Sequence, residues 1–197
     1  VLGQDAFVDS VVRAMRRPFV LGTEAPAARN VILLQAGQAQ AGFALEETAR
    51  RMAVRGLLQS DRIATLDLAL YPNSRAEKLF LQDLYAALHA PGEILAFEHY
   101  ESCYPGFLKT CPIAVKGSAP LSSRYLVNKE GILVDAGTAL APGAVSHIDP
   151  CGKYLIFYSH KAGRHWPINR AALVSALGDV CETASYTRED LAALAAQ

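Results

Sequence analysis

The chain has 197 residues, of which 51% are hydrophobic, and its 19 basic and 19 acidic residues give no net charge. This length and composition fit one soluble globular domain with a substantial core. Balanced charge offers no general attraction for nucleic acid or for a membrane surface, so we expect neither as a partner. No apolar run reaches the roughly 20 residues of a membrane span. The four cysteines form no CxxC pair, which favours reduced thiols and a cytoplasmic protein.

Three segments have the pattern of amphipathic or capped helices. Hydrophobic spacing predicts the first helix over Asp5–Arg17, and a connector rich in Ala, Pro and Gly follows it over Pro18–Asn30. Near the end of the chain, Thr187–Asp190 resembles a capping box that opens a last helix. Hydrophobic spacing predicts another helix over about Ser74–His89, whose core-facing residues would be Leu79, Phe80, Leu84 and Leu88.

Five short apolar runs have the composition of buried strands. They are Val31–Leu34, Ile63–Leu66, Ile94–Phe97, Tyr154–Tyr158 and Val180–Thr183. A small hairpin is predicted over Arg124–Asp135, because turn residues separate two strand-like pieces there. Since strands and helices alternate along the chain, the sequence predicts an α/β fold with a mostly parallel sheet covered by helices.

The segment that follows the first strand has the arrangement of a phosphate-binding loop without its chemistry. A flexible loop leads from Val31–Leu34 into a helix that carries Leu45, Ala49 and Met52 on one side. A working loop of this kind needs glycines that let backbone N–H groups wrap the phosphates, a Lys for the outer phosphates and a Ser or Thr for magnesium. Ala36–Phe43 reads AGQAQAGF and contains no Lys, Ser or Thr. These residues alone therefore favour an ordinary strand–turn–helix crossover over a nucleotide site.

Six segments together match one protein family in order and spacing. They are VLGQDAFVDSVVRAMRR at residues 1–17, TLDLALY at 65–71, EILAFEHYESCYP at 93–105, RYLVNKEGILVD at 124–135, YLIFYSH at 154–160 and TREDL at 187–191. Through them the chain resembles the large ATPase subdomain of AAA+ unfoldases of the Clp and heat-shock disaggregase type, specifically their second ATPase module.

This resemblance implies a fold and a division of the chain. The fold would be a P-loop NTPase-like (AAA+) three-layer sandwich, in which a parallel five-stranded sheet of order 5-1-4-3-2 has helices on both faces. Residues 1–186 would form the large subdomain, and residues 187–197 would begin the lid subdomain, whose remainder is absent from this sequence.

The resemblance also places a nucleotide pocket, but the residues there are degenerate. Ala41 or Gly42 stands where the family has the phosphate-loop Lys, and Gly42 or Phe43 stands for the Ser or Thr. Without that Lys the outer phosphates lose a positive partner, and Phe43 offers magnesium no oxygen. The positions that would line this degenerate pocket are Gln4, Gly37, Gln38, Gln40, Gly42 and Phe43.

The catalytic positions of the family are altered as well. Glu98 and His99 stand for the Asp-Glu pair that holds the magnesium water and polarises the attacking water, and His160 stands for the Asn that helps to place it. The arginine finger falls on about Ser175-Ala176. A missing base costs about 10²–10⁴-fold in rate, and a missing finger about 10³–10⁵-fold. Asn73–Pro91 reads as helix and contains no aromatic-Val-Gly pore loop for gripping a threaded polypeptide.

Other assignments for the histidines are open. Glu98 and His99 could act as a metal-binding carboxylate and a general base, although a His at a strand end is more often a hydrogen-bonded structural residue. Two His-x₃-Cys pairs occur, at His99/Cys103 and His147/Cys151. Structural zinc sites usually use tighter Cys-x₂₋₄-Cys pairs, so we expect no metal.

Two functional hypotheses follow. The first is a catalytically inactive or strongly impaired AAA+ Clp-like ATPase domain, which acts as an assembly, scaffolding or regulatory module of a larger chaperone- or unfoldase-like protein and needs no cofactor. Its partners would be proteins: flanking domains, or the subunits of a homo- or hetero-oligomeric ring. The alternative is a divergent ATP-binding chaperone ATPase that uses ATP and magnesium in an atypical site.

Overall fold

The computed structural model describes residues 3–21, 30–36, 38–99, 102, 125–127, 133–135, 151–158, 179–183 and 188–196. The helices within these ranges are α1 (Asp5–Leu21), α2 (Gln38–Val54), α3 (Glu77–His89) and α4 (Arg188–Ala195). The strands are β1 (Asn30–Gln35), β2 (Ile63–Asp67), β3 (Ile94–Glu98), β4 (Tyr125–Val127), β5 (Leu133–Asp135), β6 (Tyr154–Tyr158) and β7 (Asp179–Glu182).

Five of the strands form one parallel sheet in the order β2-β3-β6-β1-β7. If these five are numbered by their order along the chain, the sheet reads 2-3-4-1-5 from the β2 edge and 5-1-4-3-2 from the β7 edge. The predicted α/β class and the parallel five-stranded sheet are confirmed. β4 and β5 pair separately as an antiparallel hairpin, as the turn residues predicted.

Helices cover both faces of the sheet, which gives three layers. Ile32 and Leu34 of β1 point into a core cluster with α1 and α2, whereas Val31 and Leu33 point into a second cluster with α3. Every residue of β1 is buried, as expected for a central parallel strand that is packed on both faces. The crossover through α2 runs from β1 to the far edge strand β2, and the crossover through α3 returns to β3 along the opposite face. Opposite directions on opposite faces give both crossovers the same hand.

Helix α1 continues past the residue at which the sequence predicted its end. It runs through Pro18 to Leu21, although proline has no N–H and leaves the carbonyl four residues earlier without its helical partner. That carbonyl belongs to Ala14, and it accepts a hydrogen bond of 2.8 Å from the Asn30 side-chain amide. The next carbonyl, of Met15, accepts a bond of 2.6 Å from the Tyr154 hydroxyl. The helix therefore tolerates Pro18 because the Asn30 side chain supplies the one donor that proline removes.

Helix α3 begins later than predicted and buries a slightly different face. Residues Ser74–Ala76 form a 3₁₀ turn, which the Asn73 side chain caps by accepting from the Arg75 N–H at 2.9 Å. Leu79 is 52% exposed, so its predicted core role is wrong, and the buried apolar residues are Phe80, Leu81, Leu84 and Leu88.

Among the described helices, none has the length and apolar composition to cross a membrane.

Candidate functional site

The side chains best placed for chemistry lie where three neighbouring strands end. β2 ends at Asp67, β3 ends at Glu98 with His99 directly after it, and β6 ends at Tyr158. Because the strands are parallel and adjacent, these ends share the carboxyl edge of the sheet, where ligands bind in open α/β folds. Asp67 lies opposite Glu98 in the β2–β3 register.

Asp67 and His99 form a hydrogen-bonded pair at this edge. The His99 Nδ1 atom lies 2.6 Å from Asp67 Oδ1, and the two side chains are 29% and 35% exposed. A carboxylate only accepts hydrogen bonds, so the contact places a proton on Nδ1 and makes Nε2 the acceptor when the ring is neutral. Asp67 is itself held in place, because the Ala69 N–H donates to it at 2.9 Å in the turn Leu68–Leu70.

His99 has an unusual backbone conformation. Its φ is 51°, in the left-handed region that side chains other than Gly, Asn, Asp and His rarely adopt. In this conformation the imidazole contacts Asp67. Such strained positions are enriched in functional sites. Together with the hydrogen bond to Asp67, this makes His99 a candidate to accept a proton among the described residues of the carboxyl edge.

Glu98 pairs with Tyr158 at the same edge of the sheet. The Tyr158 hydroxyl donates to Glu98 Oε1. Burial of the phenol raises the pKa of Tyr158 well above its usual value, and the hydrogen bond and negative charge of Glu98 raise that pKa further. Tyr158 is therefore a permanent donor at physiological pH, and one oxygen of Glu98 is occupied by it. His160, the third predicted catalytic position, lies outside the described residues.

The segment that a phosphate-binding loop would occupy is mostly helical. β1 ends at Gln35 and α2 begins at Gln38, so residues 38–43 of the segment 36–43 are helix. Such a loop must leave the helical conformation to direct successive N–H groups at the phosphates. A Cβ added at Gly42 would meet nothing within 4 Å, so this glycine is not required by a close backbone contact.

The other predicted pocket positions are placed as follows. Gln4 is buried before α1, and its carbonyl accepts from the Val8 N–H at 3.1 Å, so it contributes to the start of that helix. Gln40 is half-buried in the first turn of α2, and Phe43 is 54% exposed on a groove between α1 and α2. Gln38 is the first residue of α2, and Gly37 lies outside the described residues.

A buried lysine lies next to the sheet, but at the end opposite to the one where a phosphate-loop Lys would be needed. Lys153 precedes β6 at the amino edge and is only 4% exposed. Its Nζ donates to the Ala90 carbonyl at 2.8 Å and also to the Gly92 carbonyl. Burial lowers the pKa of Lys153. Its donors are directed at two carbonyls of the segment that precedes β3, so this lysine has a structural role.

Metal ligation has no support in the described contacts. Within the described ranges, no three His, Cys, Asp or Glu side chains come close enough to hold an ion together. Of the two predicted His-x₃-Cys pairs, Cys103 and His147 fall outside those ranges, and Cys151 is exposed.

The candidate list from the sequence missed Asp67 and Tyr158. Asp67 could have been found, because a carboxylate at the end of β2 must lie beside the end of β3 once those strands are predicted as neighbours. Tyr158 had no comparable signal, since its sequence context is that of a buried strand.

Comparison with known proteins adds no assignment: no protein-family model matches the chain, and none of the curated proteins is significantly similar to it.

Proposed function

We propose that this chain is a non-catalytic AAA+-like module of the Clp type, which works through protein contacts in a larger cytoplasmic chaperone- or unfoldase-like assembly. The partners would be flanking domains or the other subunits of a ring. Support for the fold assignment comes from the parallel sheet of neighbours β2-β3-β6-β1-β7 between two helical layers.

The observation that carries the loss of catalysis is the connection between β1 and α2. Only residues 36 and 37 separate the strand from the helix. A nucleoside triphosphate carries several negative charges. Binding them needs convergent N–H donors together with a Lys or a firmly coordinated magnesium ion. Here the backbone N–H groups beyond the first helical turn are committed to intrahelical bonds, and residues 36–43 include no cationic side chain.

Calorimetric titration of the protein with ATP and magnesium tests this proposal, together with an assay of phosphate release. We expect no saturable heat and phosphate release at the background rate. Substituting His99→Glu restores the acidic pair of the family at one position only, so turnover should remain at background. Saturable magnesium-dependent binding accompanied by phosphate release would show that the chain is an enzyme.

A second candidate function is a divergent nucleotide-dependent enzyme, and the Asp67–His99 pair favours it. A His oriented by a carboxylate is a competent general base, which contributes about 10²–10⁴-fold in rate. If the wild-type protein hydrolyses ATP, His99→Gln should remove most of that activity. The matched control is His89→Gln, since His89 is exposed at the end of α3 and its hydrogen bond and ring contact are with Tyr85 of the same helix. Equal activity in both variants would exclude His99 as the base.

A further inference from the structure

An apolar groove lies between α1 and α2 on the outer side of the helical layer. Its volume is about 440 Å³, and its walls include Val8 and Val12 from α1 and Ala44 and Met52 from α2. Leu57 also lines the groove, in the turn after α2, where its N–H donates to the Met52 carbonyl at 2.9 Å. A groove of this kind between two helices can bind one face of a third helix.

The rim of this groove carries an exposed aromatic residue. Phe43 projects from the second turn of α2 with 54% of its surface exposed, although the same helix buries Ala44 and Leu45 completely. A large aromatic side chain beside an apolar groove is the kind of residue that supplies much of the binding energy in protein interfaces.

The charge around the groove is positive, although the chain as a whole is neutral. Three arginines line it, Arg16, Arg51 and Arg55, against one acidic residue, Glu47. Glu47 accepts hydrogen bonds from Arg51 at 2.6 Å and from Arg50, which hold the pKa of Glu47 down at about 2. Within the described residues, neither Arg16 nor Arg55 makes an ion pair.

On the α1 side of the groove further arginines follow, whereas acidic side chains lie beyond Phe43. A second cavity of about 420 Å³ adjoins the groove at Arg16 and is lined also by Arg13 and by Arg17, of which Arg17 is paired with Asp179. Beyond Phe43 the composition changes, because the neighbouring depression contains Glu46 and Asp61. A polyanion would meet these carboxylates, so the surface favours a partner with a few localised negative charges over nucleic acid.

We propose that the groove between α1 and α2 binds an acidic amphipathic helix of a protein partner, with apolar anchors against Phe43 and Met52 and carboxylates beside Arg16 and Arg55. This inference deepens the proposed function, on which it rests, by naming the chemistry of the partner. Helix-in-groove recognition uses apolar residues at i, i+3, i+4 and i+7, and charges beside them set specificity and association rate.

Selection from a displayed library of helices tests the proposal. Each peptide would have about 16 residues, enough for a helix, with apolar residues varied at i, i+3, i+4 and i+7 and each flanking position randomised among Glu, Lys and Gln. Selection on the wild-type protein should enrich Glu over Lys beside the anchors. Affinity of the enriched peptides should fall as salt rises, because the charges are at an exposed rim.

Variants assign the binding to the groove. Phe43→Ala and Arg55→Glu should each weaken the selected peptides about tenfold, and a peptide with Lys in place of the critical Glu should bind Arg55→Glu better than wild type. Arg75→Glu is the matched control, because Arg75 is exposed in the turn before α3, on the other face of the sheet. All these positions are exposed, so each variant should keep the far-UV circular dichroism of the wild type.

Three results would overturn the inference: no enriched helix that depends on Phe43, enrichment of Lys over Glu, or binding of anionic vesicles or single-stranded DNA through the same arginines without any helix binder. The outcome is separable from that of the proposed function. Failure of the groove leaves the ATP titration unchanged, and an active ATPase that still binds the acidic helices would refute only the non-catalytic assignment.

Discussion

The two ends of the five-stranded sheet use polar side chains in different ways. At the amino end, Asn30, Lys153 and Tyr154 are buried and donate to backbone carbonyls of α1 or of the segment before β3. At the carboxyl end, Asp67 and His99 are about one-third exposed and are hydrogen-bonded to each other. Buried polar groups that satisfy carbonyls stabilise a fold, whereas partly exposed pairs contribute little to it and remain available to ligands.

The amino end also explains how α1 is attached to the sheet. Asp179, the first residue of β7, accepts from Arg17 at 2.5 Å and from the Asn30 amide at 2.7 Å. The side-chain oxygen of Asn30, Oδ1, accepts from the Val31 N–H at 2.9 Å, so this side chain uses both its donor and its acceptor. One helix and two strands are thus joined through a single amide, which makes the amino end sensitive to substitution.

Replacement of Lys153 should have the largest effect on stability. Lys153→Met keeps the length of the side chain but removes the donors to the Ala90 and Gly92 carbonyls. Leaving two half-buried carbonyls without this charged donor should lower the free energy of unfolding by about 2–4 kcal/mol. Urea denaturation measures the loss. Lys78→Met is the control, because Lys78 is exposed on α3 and its replacement should change that free energy by less than about 0.5 kcal/mol.

The next prediction concerns the bond that offsets Pro18. Asn30→Ala should lower the free energy of unfolding by about 1–3 kcal/mol, because the Ala14 carbonyl loses its donor. In a Pro18→Ala background, residue 18 regains an N–H that can donate to that same carbonyl. The cost of Asn30→Ala should then be smaller by about 1 kcal/mol. A double-mutant cycle by urea denaturation measures this coupling, and strict additivity would show that Pro18 and Asn30 act independently.

The loss of stability at alkaline pH should report the deprotonation of Tyr158, at the carboxyl end of the sheet. The pKa of Tyr158 is raised in the folded state, chiefly by burial, so the folded protein keeps this proton after the unfolded chain has lost it. The stability from protonated Tyr158 is therefore complete below about pH 10 and is lost as the pH rises further, by at most about 1.4 kcal/mol per pH unit. Tyr158→Phe should flatten the decline of the denaturation midpoint above pH 10. An unchanged slope would mean that Tyr71, whose pKa is also raised by burial, accounts for it.

The positions of the strands could be predicted from the sequence because buried parallel strands are continuous apolar runs, and tertiary packing reinforces that local signal. The end of α1 could not, because Pro18 is a local stop that a distant donor, the Asn30 side chain, offsets. The contact between Asp67 and His99 depends on which strands are neighbours and on a positive φ, and neither property is encoded within a few residues. The burial of Lys153 likewise follows from carbonyls that lie about 60 residues earlier.

The smallest effect on stability is expected at the Asp67–His99 pair. His99→Asn removes the imidazole but keeps a residue type that tolerates positive φ, and Asp67→Asn removes the charge but keeps an oxygen that can accept from the Ala69 N–H. Each change should alter the free energy of unfolding by less than about 1 kcal/mol, because a partly exposed pair of polar side chains contributes little. Urea denaturation of the two single variants and of the double variant gives the coupling between them. A coupling of 3 kcal/mol or more, as is typical of buried pairs, would place this pair in the same structural class as the amino-end network and remove the reason to look for chemistry at the carboxyl end. A small coupling would mean that the fold does not depend on the contact between Asp67 and His99, and the carboxyl end would remain the place to look for chemistry.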